Sequence, residues 1–551
     1  MRYLGSLLLT LSLCSPAVAQ GHSASPAPKP ATLMTGISDL HHPVTTSNPE
    51  AQKFFDQGLR LIYAFNHDEA ARSFRRAAEL DPKMAMAYWG IAEAVGPNYN
   101  DPASDERFQE AHEAIEKAVS LSSGASPTEQ DYIQAMAKRF PAPGADRRKA
   151  AEEYRDAMRE LMNKVSDDLD AATLFAESGM NLHPWGLWMK DGTPREGTAE
   201  IVSTLESVIR RDPNHFGAVH YYIHAVEASP NPERALAGAN RLAALAPAAG
   251  HIVHMPAHVY IRTGDYDAAV KTNEKAAAAD ESYIKNSTAN GVQPGMYSGM
   301  YYSHNLHFIA IAASMKGNFP ESKQAADKLA AHVRPMLKDM PMLEGFVAIP
   351  IEVLVRFEKW NDILKMPQPD PNLKIVGTFW HYARGMALAG TGKPDEAERE
   401  HAVIVAAREA TPPDAIFAPP WNNKTKDILQ IADDVLAAKI AIARKDTDTA
   451  VSRYRNAVAV QDTLNYGEPP DWYFPVRESL GGALLMADKA SEAEKVFRED
   501  LNQNPRNPRS LFGLHEALKR QGRNYDAQFV EKQFRDYWDG GGTGLKVENL
   551  V

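Results

Sequence analysis

The sequence predicts an all-α protein built as an array of repeated helix pairs. Three observations predict it. Apolar and small residues recur at helical spacing through most of the chain, and no segment alternates at the period of a strand. Proline and glycine fall between these segments at regular intervals. His220 and His224 are four apart, His254 and His258 are four apart, and the second pair follows the first by 34 residues at both positions. A fixed offset of that size marks an internal repeat.

The first unit starts at Ala51 and carries Phe54, Gly58, Ala70, Phe74, Ala77 and Pro82, at positions 4, 8, 20, 24, 27 and 32 of a 34-residue period. Small residues at these places let two helices approach closely, and Pro82 ends the second helix by denying it a backbone N–H. This pattern resembles the tetratricopeptide (TPR) repeat, which implies a TPR-like α-solenoid. A second unit begins near Ala85, is interrupted by Gly96-Pro97-Asn98-Tyr99-Asn100, and resumes at Ala111; a third shows Ala150, Tyr154 and Ala157. The helix from about Asp168 to Asn181 contains Glu177 and leads into His183-Pro184-Trp185-Gly186-Leu187-Trp188, too long for a standard turn. That insertion reads as a loop packing its tryptophans on the solenoid, or as a lid over a groove. Units five and six carry the histidine pairs, with Gly264 at a turn, and a third histidine helix spans His304 to Met315 with Gly317 in the equivalent turn. Weaker units continue through Phe379–Ala389, Ala450–Ala457, Ala493–Pro505 and Leu511–Gly522, making roughly ten in all.

The expected map is a signal peptide over 1–19, a flexible leader over 20–50, an N-terminal array with the histidine-rich site over 51–340, and a C-terminal array over 341–551. Met1-Arg2, the apolar run Leu4–Leu13 and the Ala17-Val18-Ala19 cleavage signal form the signal peptide, which is too short to span a bilayer. A lipoprotein anchor at Cys14 would want a small residue before it, where Leu13 stands. No later apolar run is long enough to cross a membrane. Cys14 is the one cysteine, so after cleavage the chain has no disulfide, thiolate nucleophile or cysteine metal ligand. A periplasmic or secreted location follows. The net charge of −11, with no basic run, argues against nucleic-acid binding.

In TPR proteins the first helix of each unit lines the concave groove, with positions 2, 5, 9 and 12 facing the ligand. On that frame His220, His254 and His307 take position 5 of successive units, His224 and His258 position 9, His251 and His304 position 2, and Glu227 position 12. Histidine and carboxylate are the side chains that bind zinc, copper or iron without cysteine. An H-x-x-x-H spacing sets two imidazoles one helical turn apart. A first shell is expected from His220, His254, His258 and His307, with His224, Glu227, His251 and His304 beside it; Glu227 or Glu177 is the candidate general base.

Two other readings stand beside the metal. The histidines and Arg262 line a groove for a peptide, protein or small ligand, or the histidines hydrogen-bond to Tyr221, Tyr222, Tyr260 and Tyr302 as packing. Pro256, between His254 and His258, costs a helix interior roughly 3 kcal/mol, so the helix either begins there or kinks. The arrangement is also similar to that of a group of bacterial exported TPR proteins with an H-M-P-[SA]-H segment, here His254-Met255-Pro256-Ala257-His258. That resemblance implies no particular activity. The sequence thus points to an exported binding scaffold with a histidine-rich, metal-competent groove, or alternatively to a metal-dependent enzyme, hydrolytic or oxidative. His215, before the fifth helix pair, reads as a cap or surface residue.

Overall fold

A computed structural model describes residues 29–293, 295–418, 423–472, 474–540 and 544–551. The expected signal peptide lies outside the described residues. Those described fold as antiparallel helix pairs stacked in chain order, with isolated bridges but no strands among them. The fold is a TPR-like α-solenoid. No described helix is long and apolar enough to cross a membrane.

Local chemistry sets the helix starts. Asn48 caps Pro49–Tyr63, Asn66 caps His67–Leu80, and Ser126 with Glu129 forms a capping box at Pro127–Arg139. Packing between units then depends on small residues. The Phe74 ring is fully buried between Gly58 and Gly90, where an added Cβ would stand 2.6 and 2.3 Å from it. Phe497 sits in the same way between Gly481 and Gly513, at 2.3 and 2.1 Å, so the same contact recurs near the far end of the array.

Residues 29–48, expected to be a flexible leader, are instead an extended strap on the solenoid. Ile37 is buried, the Met34 N–H donates to Gln57 at 2.6 Å, Arg60 donates to the Leu40 carbonyl at 2.6 Å, and the Thr45 N–H donates to Glu129 at 2.6 Å. The polar composition that suggested disorder pairs here with side chains of the first repeats.

The array curls back on itself. Tyr266 donates to the Pro505 carbonyl at 3.3 Å, and the Asp539 N–H donates to the Lys316 carbonyl at 2.7 Å. Gly264, at φ +76°, allows the contact: a Cβ there would meet the Pro505 oxygen at 2.0 Å. The apolar core has two parts, which meet at the helix Pro256–Thr263, upstream of the division expected at residue 340.

Because glycines flank Phe74 on both sides, the ring cannot move away from a new methyl group. Gly90→Ala gains about 1 kcal/mol of helix propensity but loses roughly 1–3 kcal/mol to overpacking. The variant is expected to melt at a lower temperature than the wild type by circular dichroism; a higher melting temperature would refute the close approach.

Candidate metal centre

Four helices carry the site. Phe216–Val226 presents His220 and His224; Gly250–His254 and Pro256–Thr263 present His251, His254 and His258; Ser303–Lys316 presents His304 and His307. His215 caps the first of these by accepting the Ala218 N–H at 3.1 Å, and it is buried rather than on the surface. Of the two outcomes expected at Pro256, the chain takes the kink: Met255 keeps right-handed helical angles, φ −51° and ψ −36°. Gly250 starts the short helix because Asp280 closes on it, leaving 1.9 Å to an added Cβ. Asp280 in turn accepts from Tyr297 at 2.8 Å and Asn305 at 2.7 Å.

The histidines do not line an open groove. His220, His254 and His258 are fully buried and His224 and His251 nearly so. With His304, which is half-buried at the edge, they form a largely enclosed chamber of two triads. His220, His224 and His251 bring one nitrogen each to within 4.8 Å of the others, and so do His254, His258 and His304. On the repeat frame each triad is the same construction: positions 5 and 9 of one unit and position 2 of the next. A phenyl ring packs on each. Phe65 stacks on His224 and His251 and meets His220 edge-on, with centroids at 5.6, 5.3 and 4.5 Å. Phe308 lies 4.7, 4.9 and 4.9 Å from His254, His258 and His304. Phe65 is held at φ +54°, a left-handed conformation costing roughly 1–2 kcal/mol for a side chain with Cβ.

His307, expected in the first shell, stands apart. Its ring packs on Phe346, and neither nitrogen has a hydrogen-bond partner. Burial pushes its pKa down to about 3. A third triad would need a histidine four residues on, where Ile311 stands.

The hydrogen bonds fix which nitrogen faces inward. His220 Nδ1 donates to the Tyr63 carbonyl at 2.6 Å, and His220 Nε2 points at His251 Nε2, 3.1 Å away. His224 Nδ1 donates to Glu227 at 2.8 Å, leaving Nε2 buried and unpartnered. His254 Nδ1 donates at 2.6 Å to the Asn273 side-chain oxygen, which is identified because the Asn273 amide nitrogen is committed to the Ala269 carbonyl. His258 Nδ1 lies 2.6 Å from Glu227 and 3.1 Å from Glu468. Each Nδ1 thus meets an acceptor and must carry hydrogen, which turns a lone pair inward at Nε2. The His254 and His258 Nε2 atoms are only 2.8 Å apart. A cation has to stand between them, either a proton or a metal ion.

Electrostatics agree. Burial, reinforced by neighbouring imidazoles, lowers the pKa of His220, His251, His254 and His304, so these rings are neutral donors. Burial also lowers His224, against the pull of Glu227. His258 is the exception: burial opposes its charge, but Glu227 and Glu468 raise its pKa to about 10. Glu227 is driven up by burial yet held at about 2 by His258 and His224. A carboxylate held so low is a weak base. Glu227, expected beside the histidines, stands between one histidine of each triad.

Glu177, the other expected base, does not join the histidines. It is buried with Glu93 and Arg139, which pair at 2.6 Å. Burial and the nearby Glu93 carboxylate push Glu177 up to about 8 despite Arg139. Arg139 also donates to the Pro97 carbonyl at 2.5 Å, so the cluster holds the Gly96–Asn100 loop. That loop is a wall of the chamber. Tyr99 lies 5.3 Å from His224, and Asn100 accepts from Trp185 at 3.1 Å and donates to Tyr301 at 3.1 Å.

The 183–188 loop packs its tryptophans on the solenoid, as one reading expected, and Trp185 also covers His224 at 5.6 Å. The tyrosines expected as alternative histidine partners bond elsewhere: Tyr222 to Glu206, Tyr260 to Asn240 and Tyr302 to Glu281. Outside the chamber, a cavity of about 870 Å³ runs between the 184–195 and 461–477 loops. Glu468 and Arg262 are in its wall, and Arg262 donates to the Glu227 carbonyl at 3.1 Å.

Sequence reasoning missed Glu468, Asn273, Phe65 and Phe308. Glu468 is 210 residues from His258, so no spacing announces it. The Phe308 ring could have been suspected from its place beside His304 and His307.

Comparison with known proteins agrees with the fold. The family model for the tetratricopeptide repeat matches residues 252–283, the unit holding His254 and His258. The human IFIT1 dimer with m7Gppp-AAAA aligns over 90% of this chain and 91% of its own, at 12% identity and TM-score 0.35. Yeast Tom70 aligns over 89% and 93%, at 10% identity and TM-score 0.29. No curated protein matches the sequence.

Glu177 gives a pH test. Its ordinary value is 4.5 and its folded value about 8. Between these the native state binds the extra proton, so stability is greatest at acid pH and falls as pH rises toward 8. Thermal midpoints at pH 5 and pH 8 are expected to differ less in Glu177→Gln than in the wild type. Equal differences would show that Glu177 ionises normally.

Proposed function

We propose that this chain is an exported TPR scaffold built around a buried transition-metal centre. His220, His224 and His251 supply one triad of ligands, and His254, His258 and His304 the other. Zinc, copper and iron are the candidate metals. The observation that carries the proposal is the His254–His258 pair, whose Nε2 atoms lie 2.8 Å apart while both Nδ1 atoms face acceptors. Nitrogens sharing an ion at about 2.0–2.1 Å stand about 3.3–3.6 Å apart, so the pair needs to open by well under an ångström. Three imidazoles, two of them in each triad fixed from behind by a hydrogen bond, form a donor set of the kind metal sites use.

The partner, a peptide, protein or small ligand, enters the cavity beside the chamber. A second reading, a hydrolytic or oxidative metalloenzyme, is favoured by Glu468. This carboxylate touches His258 on one side and lines the cavity on the other. Burial raises its pKa, which suits it to proton transfer better than Glu227 or Glu177.

Metal content by mass spectrometry tests the main proposal. Protein purified untagged from periplasm is expected to carry stoichiometric metal, and the His254→Ala/His258→Ala variant to lose it from its triad. No metal in the wild type, even after reconstitution with zinc, copper and iron, overturns the reading. Export is tested on the same sample, whose first residue is expected to be Gln20; a chain that still begins at Met1 refutes it.

A further inference from the structure

We propose that the two triads hold a pair of copper(I) ions, one in each, inside a single chamber. The inference rests on the reading that the triads bind metal, and it adds the number, identity and oxidation state of the ions.

The number comes from the repeat. Both triads are complete and equivalent on the repeat frame, and both carry a packed phenyl ring. They are also in contact. His224 of one lies 5.6 Å from His258 of the other, and His251 lies 5.7 Å from His254. Glu227 ties them together, with one oxygen 2.8 Å from His224 and the other 2.6 Å from His258. A chamber serving one ion would leave the second set of inward lone pairs buried and unmatched, a costly arrangement.

The identity comes from donors and charge. Each triad offers imidazole nitrogen alone, which suits copper, zinc, iron or nickel and disfavours magnesium, calcium and manganese. The donors bring no negative charge. Behind them stand two carboxylates, Glu227 and Glu468, with Arg262 at the cavity edge 3.8 Å from Glu468. Two divalent ions would place a charge of about +4 in a largely buried interior against these groups, and uncompensated buried charge is strongly unfavourable. Two monovalent ions come closest to balance, and cuprous copper is the monovalent ion that imidazole binds. Coordination number agrees. Structural zinc takes four ligands, whereas each triad offers three imidazoles and an apolar phenyl ring packed beside them. Soft, closed-shell copper(I) is stable with three nitrogens.

The test uses the full mature chain, stripped of metal and handled without oxygen. It is titrated with copper(I) against the chromophoric chelator bicinchoninate, and separately with zinc(II). The expected result is two copper(I) per wild-type chain, and one in each of His251→Gln and His304→Gln, which remove the third ligand of one triad. X-ray absorption of the loaded wild type, needing no variant, is expected to show about three imidazole nitrogens per copper. One copper(I) per chain, or zinc displacing copper at equal concentration, overturns this inference while leaving a metal centre in place. Binding of neither ion overturns the metal reading beneath it.

Discussion

One carboxylate holds the centre of this molecule together. Glu227 is almost fully buried, accepts from His224 of one triad and stands 2.6 Å from His258 of the other. Six histidine rings packed against one another would otherwise be an apolar interior with misplaced lone pairs. Glu227 fixes the ring orientation of His224 and His258, and those in turn set where His251 and His254 can lie. Its own charge is favoured in the interior by the neighbouring His258 and His224.

The solenoid supplies the rest through repetition. A repeat that places position 5, position 9 and the next position 2 on neighbouring first helices generates a triad whenever all three are histidine. The chain does this twice in succession and stops at His307, where Ile311 follows. Irregularity is concentrated in the same region: the kink at Pro256, the close approach of Asp280 to Gly250, and the left-handed Phe65. Such strained features persist where surrounding packing determines them fully.

Much of this was legible in the sequence. The helix pairs followed from the 34-residue offset and the Phe54–Pro82 pattern, because close helix packing demands small residues at fixed positions. Six of the seven predicted histidines converge for the same reason. The seventh, His307, was misjudged because a repeat position says which face a side chain takes, not whether its partners exist. Glu227 was found: sequence shows a carboxylate near histidines, whereas its place between His224 and His258 is tertiary. Glu177 lies instead beside the Glu93–Arg139 pair and accepts from Asn181. In the leader, order was expected near His41 and His42, which bond to Asp56 and Asp170; the acceptors lie in distant helices that local composition does not show.

Glu468 gives the chamber a direction in time. The helices that carry all six triad histidines are complete by Lys316, yet the carboxylate that closes behind His258 lies 210 residues further along the chain. A chain that folds from its N-terminus therefore passes through a stage in which the chamber is built but open on the side of the 461–477 segment. Once the last repeats dock, the approach on that side is the cavity that Glu468 and Arg262 help to line.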